Sequence, residues 1–243
     1  MTFRKRLQYF IVKTLRVSNK EAVQCILNAK VKVNGELSSP NYLFHPEDEI
    51  VFETKVIKPA HIFRYIAYHK PVGVESTLNT DINQNLVQAL GIDEHLFPVG
   101  RLDKASEGLL LLTNNGQIFD KILRENQEKE KEYDVVLNLP LNDELVYALR
   151  NGMVIMGKMT KPAQVTPTST TSFTIILTQG LNRQIRRMCY KFGYEVLVLK
   201  RTRIVTILLG DLAVGTWRNL RTEEVKELVR VVEPSIAEMD FND

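Results

Sequence analysis

The chain has 243 residues, 44% of them hydrophobic and 25% charged, a globular balance that excludes a disordered tract, and no apolar run is long enough to span a membrane. A net charge of +3 and a pI near 8.7 are only mildly basic, so where the charge sits matters more than its total. Two cysteines, Cys25 and Cys189, can build neither a disulfide framework nor a zinc quartet.

The start, Arg4-Lys5-Arg6 before Leu7-Gln8-Tyr9-Phe10-Ile11-Val12, has the basic head of a signal peptide. Its apolar part is short, contains Gln8 and is stopped by Lys13 with no small-residue cleavage site, so a cytoplasmic address is expected. Residues 1–58 read as a small separate module. Ser18 with Glu21 three residues later is a capping-box pattern, and Ala22, Val23, Ile26 and Leu27 follow at helical spacing. Val31-Lys32-Val33 alternates and runs into Asn34-Gly35, the strongest short hairpin signal. Asp48 to Phe52 reads as another strand, and Lys58-Pro59-Ala60 as a linker to a second region over 62–243.

In that region Phe63 to Tyr68 is strand-like and stops at Lys70-Pro71-Val72-Gly73. Leu86–Leu90 and Ile118–Arg124 read as helices, and Leu109–Thr113, Tyr133–Leu137 and Phe173–Leu177 as strands. Ile185, Met188, Cys189 and Phe192 predict one apolar helix face. Arg183, Arg187 and Lys191 recur every fourth residue opposite it, with Arg186 at the border. Arg201 and Arg203 are expected to continue this basic surface. The plain reading is a solvated face; the local excess of base over acid favours an anionic partner. The acid-rich end from Glu223 to Asp243 predicts a helix and a tail.

Gly100-Arg101-Leu102-Asp103 leads through Gly108 into the leucine strand, a place from which one carboxylate can reach a cleft. Alone, Asp103 reads as a turn or capping residue, as most loop aspartates do. Lys129-Glu130-Lys131-Glu132-Tyr133 alone is a charged strand edge before a half-buried tyrosine. There is no GxxxxGK[ST] loop and no HExxH, and His45, His61, His69 and His95 are scattered. No metal and no cofactor is indicated, which leaves carboxylate, arginine and tyrosine chemistry.

Five segments in order carry a likeness: Lys70-Pro71-Val72-Gly73, Phe97 to Asp103, Gly108 to Asn114, Lys131-Glu132-Tyr133, and Gly180 to Met188. Together they resemble the bacterial ribosomal-RNA pseudouridine synthase family over roughly residues 62–230. Leu199 to Ile204 and Gly215-Thr216-Trp217-Arg218 look most like its large-subunit branch. The resemblance implies an α+β fold, a mixed and largely antiparallel sheet in two halves with flanking helices and a cleft between them. It makes Asp103 the catalytic aspartate, Tyr133 the ring that stacks on the target uracil, Arg186 the partner of Asp103, and Leu199 the apolar wall. Arg101, Arg183, Arg187 and Lys191 would then hold the RNA.

The first module is similar to the alpha-L RNA-binding domain of that family, with Asn19-Lys20 where an arginine is usual and Ala29 where a glycine is usual. The expected partner is structured RNA, ribosomal or alternatively transfer RNA, met by a monomer. Asp103 would either attack the anomeric carbon or remove a ribose proton; the residues do not choose. A non-catalytic ribosome-assembly protein would need the basic helix but not Asp103. A DNA-binding regulator finds no helix-turn-helix signal beyond the first module.

Overall fold

A computed structural model describes residues 5–123 and 128–232. The chain forms two compact units, Met1–Phe63 and Arg64–Asp243.

In the first unit, α1 (Leu7–Leu15) and α2 (Asn19–Leu27) precede β1 (Val31–Val33), β2 (Glu36–Leu37), β3 (Ile50–Phe52) and β4 (Lys55–Lys58). The strands form one antiparallel sheet in the order β2-β1-β3-β4. Leu7 and Ile11, from the stretch that began like a leader, are buried with Ala22, Ile26, Val31 and Ile50. The capping box is complete: Ser18 Oγ accepts from the Glu21 N–H at 3.3 Å, and the Glu21 carboxylate accepts from the Ser18 N–H at 2.8 Å.

Helix α2 ends in the paired bonds of a Schellman motif, Lys30 N–H to Cys25 C=O at 3.0 Å and Ala29 N–H to Ile26 C=O at 3.2 Å. Ala29 therefore takes φ +59, a left-handed conformation that glycine adopts without a Cβ clash. Asn34 and Gly35 both have positive φ, as a two-residue type I′ hairpin requires. Asp48, 7% exposed, closes this hairpin from below. Its Oδ1 accepts from Asn34 Nδ2 at 2.7 Å, and its Oδ2 from Tyr42 OH at 3.2 Å and the His45 N–H at 2.7 Å. Burial pushes this carboxyl up, but the bonds from His45, Asn34 and Tyr42 hold it below its ordinary value.

The second unit runs β5 (Tyr65–Lys70), α3 (Leu86–Leu90), β6 (Phe97–Pro98), β7 (Glu107–Thr113), α4 (Gly116–Leu123), β8 (Lys131–Leu137) and α5 (Asp143–Asn151). Then come β9 (Val154–Ile155), β10 (Lys158–Met159), β11 (Gln164–Pro167), β12 (Ser172–Leu177), α6 (Gln184–Tyr190), β13 (Val196–Ile204), β14 (Ile207–Leu208), β15 (Trp217–Asn219) and α7 (Thr222–Val232). Arg124, expected to end a helix, and the residues beyond Val232, expected to hold a tail after a helix, lie outside the described residues.

A nine-stranded sheet in the order β11-β12-β8-β13-β7-β5-β15, with β6 on β7 and β14 on β13, organises this unit. It is antiparallel except where β13 meets β7, at Lys200 opposite Glu107 and Arg201 opposite Gly108. The leucine run of β7 is covered on both faces, which is why it reads as continuous rather than alternating. Leu109 and Leu111 pack with Ile118, Ile122 and Leu228 on one side, and Leu110 and Leu112 with Tyr68 and Leu86 on the other. Across the sheet, α5 and α6 cover β8 and β12 through Leu145, Leu149, Met188, Val135 and Phe173. The two halves thus meet along β13. In α7, Glu224 takes both arms of Arg218 at 2.7 and 2.8 Å, and that bond holds its carboxyl at about 2.

Among the described residues, no helix is long and apolar enough to cross a membrane.

Candidate active site

The Asp103 loop is fixed on both sides. Gly100 enters it at φ +79, with its missing Cβ 3.1 Å from Leu123 Cδ2. Buried Ser76 brackets Leu102, accepting from its N–H at 3.1 Å and donating to its C=O at 2.8 Å. Beyond Asp103, the Gly73 N–H donates to the Lys104 C=O at 2.8 Å, and Arg186 Nη2 donates to the Ala105 C=O at 2.8 Å. A backbone held at four points presents one side chain, Asp103, at 30% exposure. Its carboxylate meets Arg183 Nη1 at 3.6 Å.

Asp103 opens into a cavity of about 200 Å³. The sheet makes the floor: Tyr133 of β8 lies directly opposite Arg201 of β13, and Val135 opposite Leu199. Lys131, two residues before Tyr133 and so on the same face of β8, also lines it. The turn from Thr178 to Ile185 closes the far wall. Among the described residues Asp103 is the single acid of the lining, against Arg101, Lys131, Arg183 and Arg201.

Arg201 is only 2% exposed. Its Nε donates to the Leu109 C=O at 2.7 Å, while Nη2 is buried without a partner. Burial and the Arg201 charge together pull the Lys131 amine down to about 8. Lys70, wholly buried beneath the same region and donating to the Pro71 and Val74 carbonyls at 2.8 Å, is also drawn to about 8, by burial first. Gly108 permits the join: a Cβ there would stand 2.3 Å from the Arg201 carbonyl oxygen.

One carboxylate, one tyrosine ring and four basic side chains thus line a single cavity. A family model described as RNA pseudouridylate synthase matches residues 64–191. The dual-specificity RNA pseudouridine synthase RluF of Escherichia coli K12 is 38% identical over 236 residues, covering 96% of this chain and 81% of the relative. The chain belongs to the RNA pseudouridylate synthases. Ribosomal large subunit pseudouridine synthase B of Bacillus subtilis is 32% identical, covering 92% of this chain and 95% of that one. A solved structure titled as a crystal structure of pseudouridylate synthase aligns with a TM-score of 0.64 at 29% identity, covering 92% of this chain and 99% of its own.

Two arginines of the synthase exchange the parts expected of them. Arg183 is not on the helix: it precedes α6 in a left-handed conformation, φ +52, and this turns its side chain to Asp103. Arg186, in the first turn of α6, does not pair with Asp103. It reaches under the loop to the carbonyls of Ala105 and, at 2.7 Å, Val196. Asp103 still acts on it through space: burial and Arg183 lower the Arg186 guanidinium, and the Asp103 charge raises it.

Arg187 folds back on Asn182, donating to its backbone at 3.0 Å and side chain at 3.1 Å, and Lys191 donates to the Val154 C=O at 3.0 Å. Both line a wider cavity of about 770 Å³ next to the first, shared with Arg183 and Arg186. Leu199 and Tyr133 line the smaller cavity, and Arg101 stands exposed at its edge. The expected basic surface stops short of β13: Arg201 is buried, and Arg203 is held by Glu132 at 2.8 Å and Glu130 at 2.9 Å. Lys131 received no role from the sequence, and Arg201 was expected on the basic surface rather than in the cavity lining. Their signal was the shared β8 face with Tyr133, readable only once β8 and β13 are known to be neighbours.

Proposed function

We propose that this synthase isomerises a uridine of large-subunit ribosomal RNA, acting as a cytoplasmic monomer, with Asp103 as the carboxylate that works on the ribose. The observation that supports it is the small cavity in which, among the described residues, Asp103 is the single acid and a tyrosine lies on the floor. The reaction breaks the bond from C1′ to N1, turns the base, and joins C1′ to C5; C5 loses a proton and N1 gains one. Such a cavity admits one base at a time, so the target must leave its stack, and the Tyr133 ring replaces the lost stacking.

Arg183 aims the carboxylate, and Arg186 holds the loop that carries it. Leu199 gives the base an apolar side. Arg101 at the rim, with Arg187 and Lys191 along the wider cavity, meets the flanking phosphates. The first unit serves as an alpha-L RNA-binding domain. In its favour are two helices followed by a small antiparallel sheet, and the left-handed Ala29 at the position where that family carries glycine. The large-subunit assignment rests on the name of the Bacillus subtilis relative and on the Leu199–Ile204 and Gly215–Arg218 segments.

The test is to map pseudouridine in ribosomal and transfer RNA from cells with and without this gene, complemented by wild type or Asp103→Asn. One large-subunit position should lose its modification in the deletion and regain it with wild type alone. Restoration by Asp103→Asn would remove Asp103 from the chemistry, and a change confined to transfer RNA would move the substrate.

A further inference from the structure

Two residues that line the small cavity each carry a buried hydrogen-bond donor with no partner among the described residues. Arg201 Nη2 and Gln184 Nε2 are both buried without partners, on side chains 2% and 4% exposed. Each side chain is anchored elsewhere: Arg201 Nε holds the Leu109 carbonyl, and Gln184 Oε1 accepts from the Leu181 N–H at 3.0 Å. Both residues line the cavity that holds Asp103. An orphaned buried donor is destabilising unless some acceptor arrives to meet it. Two in one cavity, beside Lys131 and above Lys70, make a place prepared for an acceptor that carries negative charge.

The proposed reaction creates one. When the C1′–N1 bond breaks, by either route open to Asp103, the bonding pair stays on N1. The detached uracil is then an anion, its charge spread over N1, O2 and O4. We infer that Arg201, seconded by Gln184, stabilises this departing uracil anion and so governs the bond-breaking step. No proton moves in that step to or from either residue. Arg201 lies beside the Tyr133 ring on the floor, where a base stacked on that ring would sit. A fixed charge aimed at a group that becomes charged only during reaction lowers the barrier more than it tightens ground-state binding. Lys131 and Lys70 deepen the same positive field. The groups facing Arg201 are Tyr133 and Lys131 on β8, Gly108 and the Leu109 carbonyl on β7, Lys70 on β5 and Asp103 on its loop.

This inference rests on Asp103 being the site of reaction, and the experiment separates the two. Large-subunit ribosomal RNA is transcribed with either uridine or 5-fluorouridine, whose ring is a more acidic and therefore better leaving group. Loss of the starting nucleoside at the target is followed in a single turnover. Arg201→Met should slow the uridine transcript by about 10³-fold while leaving RNA affinity nearly unchanged, and slow the fluorinated transcript by only about 10-fold.

Arg201→Lys keeps the charge and should fall between. Gln184→Glu preserves the bond to Leu181 and replaces the free donor with a negative acceptor, so it should also slow uridine more than 5-fluorouridine. If Arg201→Met does not fold, the Arg201→Lys and Gln184→Glu comparisons decide alone. Equal losses on both transcripts would make Arg201 a structural residue and overturn the inference. A wild-type protein that alters neither transcript would sink the reading of the Asp103 site itself.

Discussion

Two aspartates divide the molecule's use of carboxylates. Asp48 in the first unit is 7% exposed and spends both oxygens on the Asn34 side chain, the Tyr42 hydroxyl and the His45 N–H. Asp103 in the second unit has its loop backbone pinned instead, and among the described residues its carboxylate pairs with Arg183 alone, at 3.6 Å, before an open cavity. One is a fastening and the other an exposed tool. Buried polar groups are normally satisfied, so the unpartnered donors of Arg201 and Gln184, on residues that share the Asp103 cavity, stand out against the fully bonded Asp48.

The comparison can be broken in several places. The largest effect belongs to Asp103→Asn, which should cut isomerisation by about 10⁴-fold with the melting temperature nearly unchanged, because its ion pair with Arg183 is a long, part-exposed one. Loss of stability in place of activity would make the two aspartates equivalent. Asp48→Ala should act the other way. Stranding Asn34, Tyr42 and the His45 N–H should destabilise the first unit by about 2–3 kcal/mol, read by denaturant unfolding of the full protein.

Glu224→Gln tests a fastened carboxylate in the second unit. Its folded value of about 2 lies below the ordinary 4.5, so its contribution is present above 4.5 and is lost as the pH falls toward 2. The variant should be about 2 kcal/mol less stable near neutrality and equal to wild type at the acid end. A gap independent of pH would show that Arg218 gains nothing from the charge. Smallest is Ala29→Gly, which relieves the left-handed alanine at the end of α2 and should stabilise by about 1 kcal/mol in the same unfolding experiment.

Local chemistry was legible in the chain: the Ser18–Glu21 cap, the Asn34-Gly35 turn, the leucine strand and the apolar face from Ile185 to Cys189 all depend on neighbours within a few residues. The Asp103 loop and Tyr133 were found through motifs rather than periodicity. Arg201 was misread as surface because a buried arginine inside β13 looks, residue by residue, like an exposed one. What buries it is the parallel contact with Gly108 and Leu109, which no short window contains. The exchange between Arg183 and Arg186 has a similar cause. Continuing the helical spacing back to Arg183 assumes a helix that begins one residue later, after a left-handed turn.

The parallel join of β7 to β13 also bears on how the protein comes into being. Parallel neighbours close long loops and so assemble slowly. The carboxylate-bearing loop is synthesised early, whereas β13 follows only after β8, α5, β12 and α6 have been made. A nascent chain therefore owns Asp103, the proposed reactive group, well before it owns the β13 part of the cavity lining. Competence to act on RNA arrives with one of the last strands to be translated.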